Sequence, residues 1–129
     1  MTNDESIALI RNFLEACVRA DPNEFAGYFA EDAVWWNSPW AAIEGRDAIR
    51  ETLRRGAEKM TALPWEILHI VAAADVVMTE RIDHFLFEGR RIRVRAWAFL
   101  SCAKEKSPPG AITGICASLK RKYRMLGNP

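Results

Sequence analysis

The sequence predicts an α+β domain: about three helices come first, a run of largely antiparallel strands follows, and the helices cover one face of a curved sheet. Three observations carry this reading. Apolar residues recur at the three-and-four spacing of a helix up to about Met60. From Pro64 onward that period gives way to the alternation of extended chain. The chain has the length of one domain, 129 residues, 50% of them apolar and 27% charged, so it can build a core without a metal or a disulfide.

Thr2 and Glu5 have capping-box spacing, and Ile10, Phe13, Leu14 and Cys17 then share one helical face, predicting a first helix of about four turns. Asp21-Pro22-Asn23-Glu24 repeats the start signal, with Pro22 at the first helical position, where its missing N–H costs nothing. Phe25, Tyr28 and Phe29 supply the apolar side of this short second helix. Ala33-Val34-Trp35-Trp36-Asn37 reads as a brief strand closed by Ser38-Pro39, and Gly45 and Asp47 open a third helix through Ile49, Leu53, Ala57 and Met60. Trp65 to Val71, Val76 to Phe87 and Arg91 to Ser101 follow as strands. Glu88-Gly89-Arg90 reads as a hairpin connection of undetermined turn type. Lys104 to Gly110, with Pro108-Pro109, is a predicted loop, and Ile112 to Leu119 is a candidate last strand. There is no internal repeat, so 1–129 is read as a single domain.

Composition excludes several classes of function. A formal charge of +1 lacks the strong positive field that nucleic-acid binding normally requires. No apolar run reaches the length of a membrane span, and the acidic start Met1-Thr2-Asn3-Asp4-Glu5 does not read as a secretory signal. The expectation is therefore a cytoplasmic protein with neither a nucleic-acid nor a membrane partner. Cys17, Cys102 and Cys116 are three thiols without a CxxC pair, which suits reduced, core-filling cysteines and gives no metal site and no cofactor.

The near-neutral total hides an asymmetry. Of 18 Lys and Arg, five (Lys106, Lys120, Arg121, Lys122 and Arg124) follow residue 105, where none of the 17 Asp and Glu lies, so the first 105 residues carry 13 basic against 17 acidic groups, a net of −4. Residues 102–129 form a divergent basic tail, whose plainest reading is a solvated end.

The candidate chemistry lies in Thr79-Glu80-Arg81-Ile82-Asp83-His84-Phe85. Residues two apart on a strand share a face, so Arg81 and Asp83 point the same way. Spacing alone leaves two arrangements open: the pair faces water beside Glu80, or it faces inward, where a charge is costly unless paired and hydrogen-bonded. Trp35, Trp36, Trp40, Trp65, Phe85, Trp97 and Phe99 are candidates to line an apolar pocket, although large aromatics also fill cores. Arg91, Arg93 and Arg95 share a face of their strand, and Trp97 and Phe99 continue that parity, so this face is expected to run from wet to covered. His69 and His84 lie on separate segments and receive no role.

Tyr28-Phe29-Ala30-Glu31-Asp32-Ala33, Trp36-Asn37-Ser38-Pro39, Glu44-Gly45-Arg46-Asp47-Ala48-Ile49 and, most specifically, Thr79-Glu80-Arg81-Ile82-Asp83 resemble the limonene-1,2-epoxide hydrolase family over about residues 5–101. That family is similar in fold to nuclear transport factor 2 and ketosteroid isomerase. The resemblance implies a cone of strongly bent mixed sheet and helices around a deep apolar pocket, a homodimer, and a small apolar epoxide or terpenoid-like molecule as partner. It also implies one-step attack by water to give a diol, with no covalent intermediate. In that scheme Asp83 protonates the ring oxygen, Arg81 orients carboxylates and Asn37 helps hold the water.

The chain departs from the family pattern at two positions. Trp35 stands where the family has a water-holding tyrosine, and an indole donates a hydrogen bond but cannot accept one. The family's late strand G-x-I-T-G-W-R-D reads here Gly110-Ala111-Ile112-Thr113-Gly114-Ile115-Cys116-Ala117, so Ala117 occupies the place of the second aspartate, the base. An arginine facing a single carboxylate favours its ionised form, which makes a poorer acid. Two explanations fit: a family member that lost hydrolase chemistry and kept a ligand pocket, or a chain read out of the ancestral frame beyond about residue 101. Three functions stay open: epoxide hydrolysis, non-catalytic binding of a small molecule, and proton transfer of the ketosteroid-isomerase or polyketide-cyclase type with ionised Asp83 as base.

Overall fold

The computed structural model describes residues 1–38, 40–102 and 111–119. Helices α1 (Asn3–Arg19), α2 (Pro22–Ala26) and α3 (Arg46–Lys59) accompany seven strands: β1 (Phe29–Ser38), β2 (Ile43–Glu44), β3 (Thr61–Ala62), β4 (Glu66–Ala73), β5 (Val76–Phe87), β6 (Arg90–Cys102) and β7 (Ile112–Leu119). The predicted loop Lys104 to Gly110 and the tail after Leu119 lie outside the described residues.

α1 starts on the capping box that Thr2 and Glu5 announce: the Glu5 N–H donates to Thr2 Oγ1 at 3.1 Å, and the Thr2 N–H reaches the Glu5 carboxylate in return. It stops at Ala20, which adopts the left-handed conformation at φ 59° without being glycine. α2 opens on the Asp21 carboxylate, which accepts from the N–H groups of Asn23 and Glu24, with Pro22 at its first turn. It ends at Gly27, and Phe29, expected on this helix, instead begins β1. β1 is accordingly longer than Ala33 to Asn37, because its pairing with β7 begins at Phe29↔Ile112.

One mixed sheet runs β2-β1-β7-β6-β5-β3, with β4 also paired to β5. β1 and β7 are parallel and every other pair is antiparallel. β7 is an interior strand bonded on both sides as far as Leu119. β5 and β6 pair continuously from Val76↔Ser101 to Phe87↔Arg90. Glu88 and Gly89, at φ 50° and 76°, make the two-residue turn between them, and positive φ at both positions is the type I′ arrangement that suits the twist of a hairpin. β2 and β3 have only two residues each, too few to show a period.

The sheet curls strongly into a half-barrel and the three helices close its concave side. Ile10, Phe13 and Leu14 of α1, Phe25 of α2 and Ile49 of α3 are buried against Phe29, Val77, Leu100 and Ile112 of the sheet. Phe13 is the hub of this core, with ring centroids 5.5 Å from Phe25, 5.5 Å from Tyr28 and 5.4 Å from Phe29. Full burial of one such side chain contributes about 1.5–3 kcal/mol. No helix among the described residues is long and apolar enough to cross a membrane.

Candidate active site

The inner faces of the strands are set by parity. On β5, Val77, Thr79, Arg81 and Asp83 are buried, and on β6 Ile92, Ala96, Ala98 and Leu100. Between this wall and the helices lies a cavity of about 420 Å³, and Arg81, Asp83, Asn37, Trp35, Phe85 and Ala117 all line it. Most of the remaining wall is apolar, from Phe13, Leu14 and Cys17 on α1 to Leu53 and Ala57 on α3.

Arg81 and Asp83 are 7% and 6% exposed. Arg81 Nε donates to Asp83 Oδ1 at 2.9 Å and Nη2 to Oδ2 at 3.1 Å, the two-bond fork that matches guanidinium to carboxylate. Its third nitrogen, Nη1, donates to Thr79 Oγ1 at 2.7 Å. The Trp65 ring lies 5.6 Å from the guanidinium carbon, a cation–π contact on one face, and the Trp65 indole donates to the His84 carbonyl at 3.2 Å. Of the two arrangements that spacing left open, the inward one is found: a paired, hydrogen-bonded charge set into an apolar wall.

Asn37 reaches the same cavity from β1. Trp35, two residues earlier on the same face, donates from its indole N–H to Asn37 Oδ1 at 3.0 Å. The amide thereby has its carbonyl engaged and its NH₂ group as a donor. Across the sheet Thr79, Ala98, Ala117 and Asn37 pair in one row, Thr79↔Ala98, Ala98↔Ala117 and Asn37↔Ala117, so two methyl groups separate the hydroxyl from the amide.

Cys17 projects from α1 into this cavity. Burial pushes its thiol well above the ordinary range; the nearby Arg81 charge pulls it down in part and Asp83 pushes it up. It is therefore a neutral wall element and no nucleophile. Among the described residues no group of three or more His, Cys, Asp or Glu is placed to hold a metal ion.

Four expected pocket residues lie elsewhere. Trp36, Trp40 and Phe99 are 45%, 59% and 51% exposed, and neither they nor Trp97 lines the cavity. For Trp97 and Phe99 the reason is parity: they share the outer face of β6 with Arg91 and Arg93, and the Arg95 guanidinium covers the Trp97 ring at 5.6 Å. The expected run from wet to covered along this face does not occur at Phe99. Trp65 lines the cavity, as its bulk suggested, whereas the sequence assigns Thr79 and Cys17 no part in the site. Thr79 shares the parity of Arg81 and Asp83, and the sequence marks Cys17 only as part of the apolar face of α1. His69 and His84 do not line the cavity; their rings meet Glu80 at 2.8 Å and Glu66 at 2.9 Å.

The profile of the SnoaL-like domain matches residues 10–106. Among solved structures, an LEH-like epoxide hydrolase of M. tuberculosis superposes with a TM-score of 0.79 at 22% identity, covering 92% of this chain and 84% of that one. SalBIII, an epoxide hydrolase/cyclase-like enzyme in pyran ring formation in the polyether salinomycin, gives 0.78 at 17% identity, covering 92% of each chain. A Catenulispora acidiphila protein with a ketosteroid isomerase-like fold, solved with trimethylamine, gives 0.71 at 20% identity, covering 92% of this chain and 85% of that one. At these identities the likeness establishes the fold, the nuclear transport factor 2-like α+β cone.

Proposed function

The chain belongs to the SnoaL-like domain family, and from that premise we propose that it takes a small apolar epoxide into its cavity and opens it to a diol by direct attack of water, slowly. One observation carries this reading: a forked Arg81–Asp83 pair, buried on both sides, stands on the wall of an otherwise apolar cavity. An epoxide needs an acid for its leaving oxygen and a nucleophile at its carbon. In the proposed step the water oxygen bonds to the ring carbon, the carbon–oxygen bond breaks, and the ring oxygen takes a proton from Asp83 in those molecules where Asp83 carries one, which is why the reaction is slow. Arg81 fixes the plane of that carboxyl group, and the Asn37 NH₂ group donates to the water. The water's own proton returns to Asp83 or to solvent, since Ala117 supplies no second carboxylate.

That alanine favours a second reading, a binding module that keeps the pocket and has lost the chemistry. Incubation with limonene oxide and styrene oxide separates the two. Diol formation above solvent, abolished by Asp83→Asn, supports the enzyme; no turnover beside measurable binding supports the module.

The same proposal includes a homodimer in the cytoplasm. Val71, Met78, Phe99, Cys116 and Trp36 are consecutive partners across β4, β5, β6, β7 and β1, and all five are exposed on the outer face. Such a row supports burial against a second copy. Sedimentation of Phe99→Asp is the check, with a shift from dimer to monomer expected. Three cysteines without a disulfide among them suit a reducing compartment.

A further inference from the structure

The donors and acceptors on the cavity wall do not balance. A guanidinium has five N–H groups, and among the described residues Arg81 uses three of them: Nε and one on Nη2 for Asp83, and one on Nη1 for Thr79. One N–H on each terminal nitrogen is left without a partner, on a side chain 9% exposed and set in the cavity wall. Asn37 adds an amide NH₂ group, because its carbonyl already accepts from Trp35. The acceptors nearby, both Asp83 oxygens and Thr79 Oγ1, meet Arg81 through its other three N–H groups. N–H groups that face a cavity without a protein acceptor are met by water or by a ligand. The floor beneath them is Ala98 and Ala117, two small side chains in register between Thr79 and Asn37.

We propose that the ligand of this cavity carries a carboxyl group, which lies over Ala98 and Ala117 and accepts from the unpaired N–H groups of Arg81, while its apolar body fills the space lined by Phe13, Leu14 and Leu53. This inference rests on the cavity's being a ligand site and not on any turnover there, and it narrows the proposed epoxide to one whose apolar body also bears a carboxyl group. A carboxyl group fits the geometry because its two oxygens match the two terminal nitrogens of a guanidinium. A second carboxyl beside Asp83 on one arginine is tolerated when the two share a proton. An ester or a hydrocarbon of equal bulk fills the apolar space without meeting both donors.

The test uses 4-tert-butylcyclohexanecarboxylic acid, its methyl ester and tert-butylcyclohexane, each titrated against the full chain while tryptophan fluorescence is followed, to which Trp35 and Trp65 contribute from the cavity wall. The acid is expected to bind about tenfold or more tightly than the ester. Ala117→Asp sets a like charge on the carboxyl's floor and is expected to abolish the acid's preference over the ester in that variant. Ala117→Val adds bulk without charge and is expected to weaken acid and ester alike. An ester that binds as well as the acid, or an acid preference that survives Ala117→Asp, overturns the carboxyl inference and leaves the cavity a ligand site. If none of the three compounds binds, both the inference and the ligand-site reading fall.

Discussion

Replacing Asp83 by alanine strands a cation in the wall of the cavity. Arg81 is 7% exposed and gives two of its hydrogen bonds to Asp83, at 2.9 and 3.1 Å. Hydrogen bonds to charged groups contribute about 1.5–3 kcal/mol each, and breaking a buried pair from one side costs about 3–5 kcal/mol, the two routes giving similar figures. At this chain length one kcal/mol moves Tm by about 3–5 °C, so Asp83→Ala should melt about 10–20 °C below the parent. Replacing both partners, as Arg81→Met with Asp83→Leu, removes charge and counter-charge together and should restore stability to within about 1–2 kcal/mol of the parent, or exceed it. Urea unfolding followed by tryptophan fluorescence measures all three proteins. A loss below about 1 kcal/mol for Asp83→Ala is the value of an exposed ion pair and would refute the buried placement.

Ala117→Asp is expected to raise diol formation from limonene oxide at least about tenfold, because a positioned general base contributes about 10²–10⁴-fold; an unchanged rate would show that a second carboxylate on this wall has no bearing on the reaction. Cys17, whose buried thiol is held far above its ordinary range, should escape iodoacetamide at pH 8 in the folded protein and react fully in urea, and peptide mapping that finds it labelled in the native state would contradict its burial. Hydrogen bonds from His69 and Arg95 hold the Glu80 carboxyl below its ordinary 4.5. A depressed folded value means that the Glu80 contribution is complete above about that pH and fades as pH falls through the folded value. Glu80→Gln should therefore lower stability more at pH 7 than at pH 2, and equal losses at both would rule out an ionic origin.

Much of the fold was legible because its signals are local. The Thr2–Glu5 box, the Pro22 start and the alternation from Val76 to Phe87 each act through neighbours in sequence, and α1, α2 and β5 lie where those signals put them. β2 and β3 were invisible since two residues carry no period, and Phe29 was assigned to a helix because its strand partner, Ile112, lies far along the chain. In the site, parity alone joined Arg81 to Asp83 but could not say which side faced in; that is decided by the helices that cover the concave side. Trp97 and Phe99 were misplaced by weighing bulk above parity, when their odd positions beside Arg91 and Arg93 already put them outside. Thr79 could have been assigned from the same alternation. The row Thr79, Ala98, Ala117, Asn37 could not, because it crosses four strands and depends on register.

The central claim is that the Arg81–Asp83 pair is both buried and in reach of a bound ligand. Nitrogen-15 NMR of the Arg81 Nε–H tests it in one titration. A buried pair in reach of the ligand gives a signal protected from exchange at neutral pH that shifts when 4-tert-butylcyclohexanecarboxylic acid is added. A signal lost to rapid exchange with water, or one that ignores a ligand shown to bind, would contradict it.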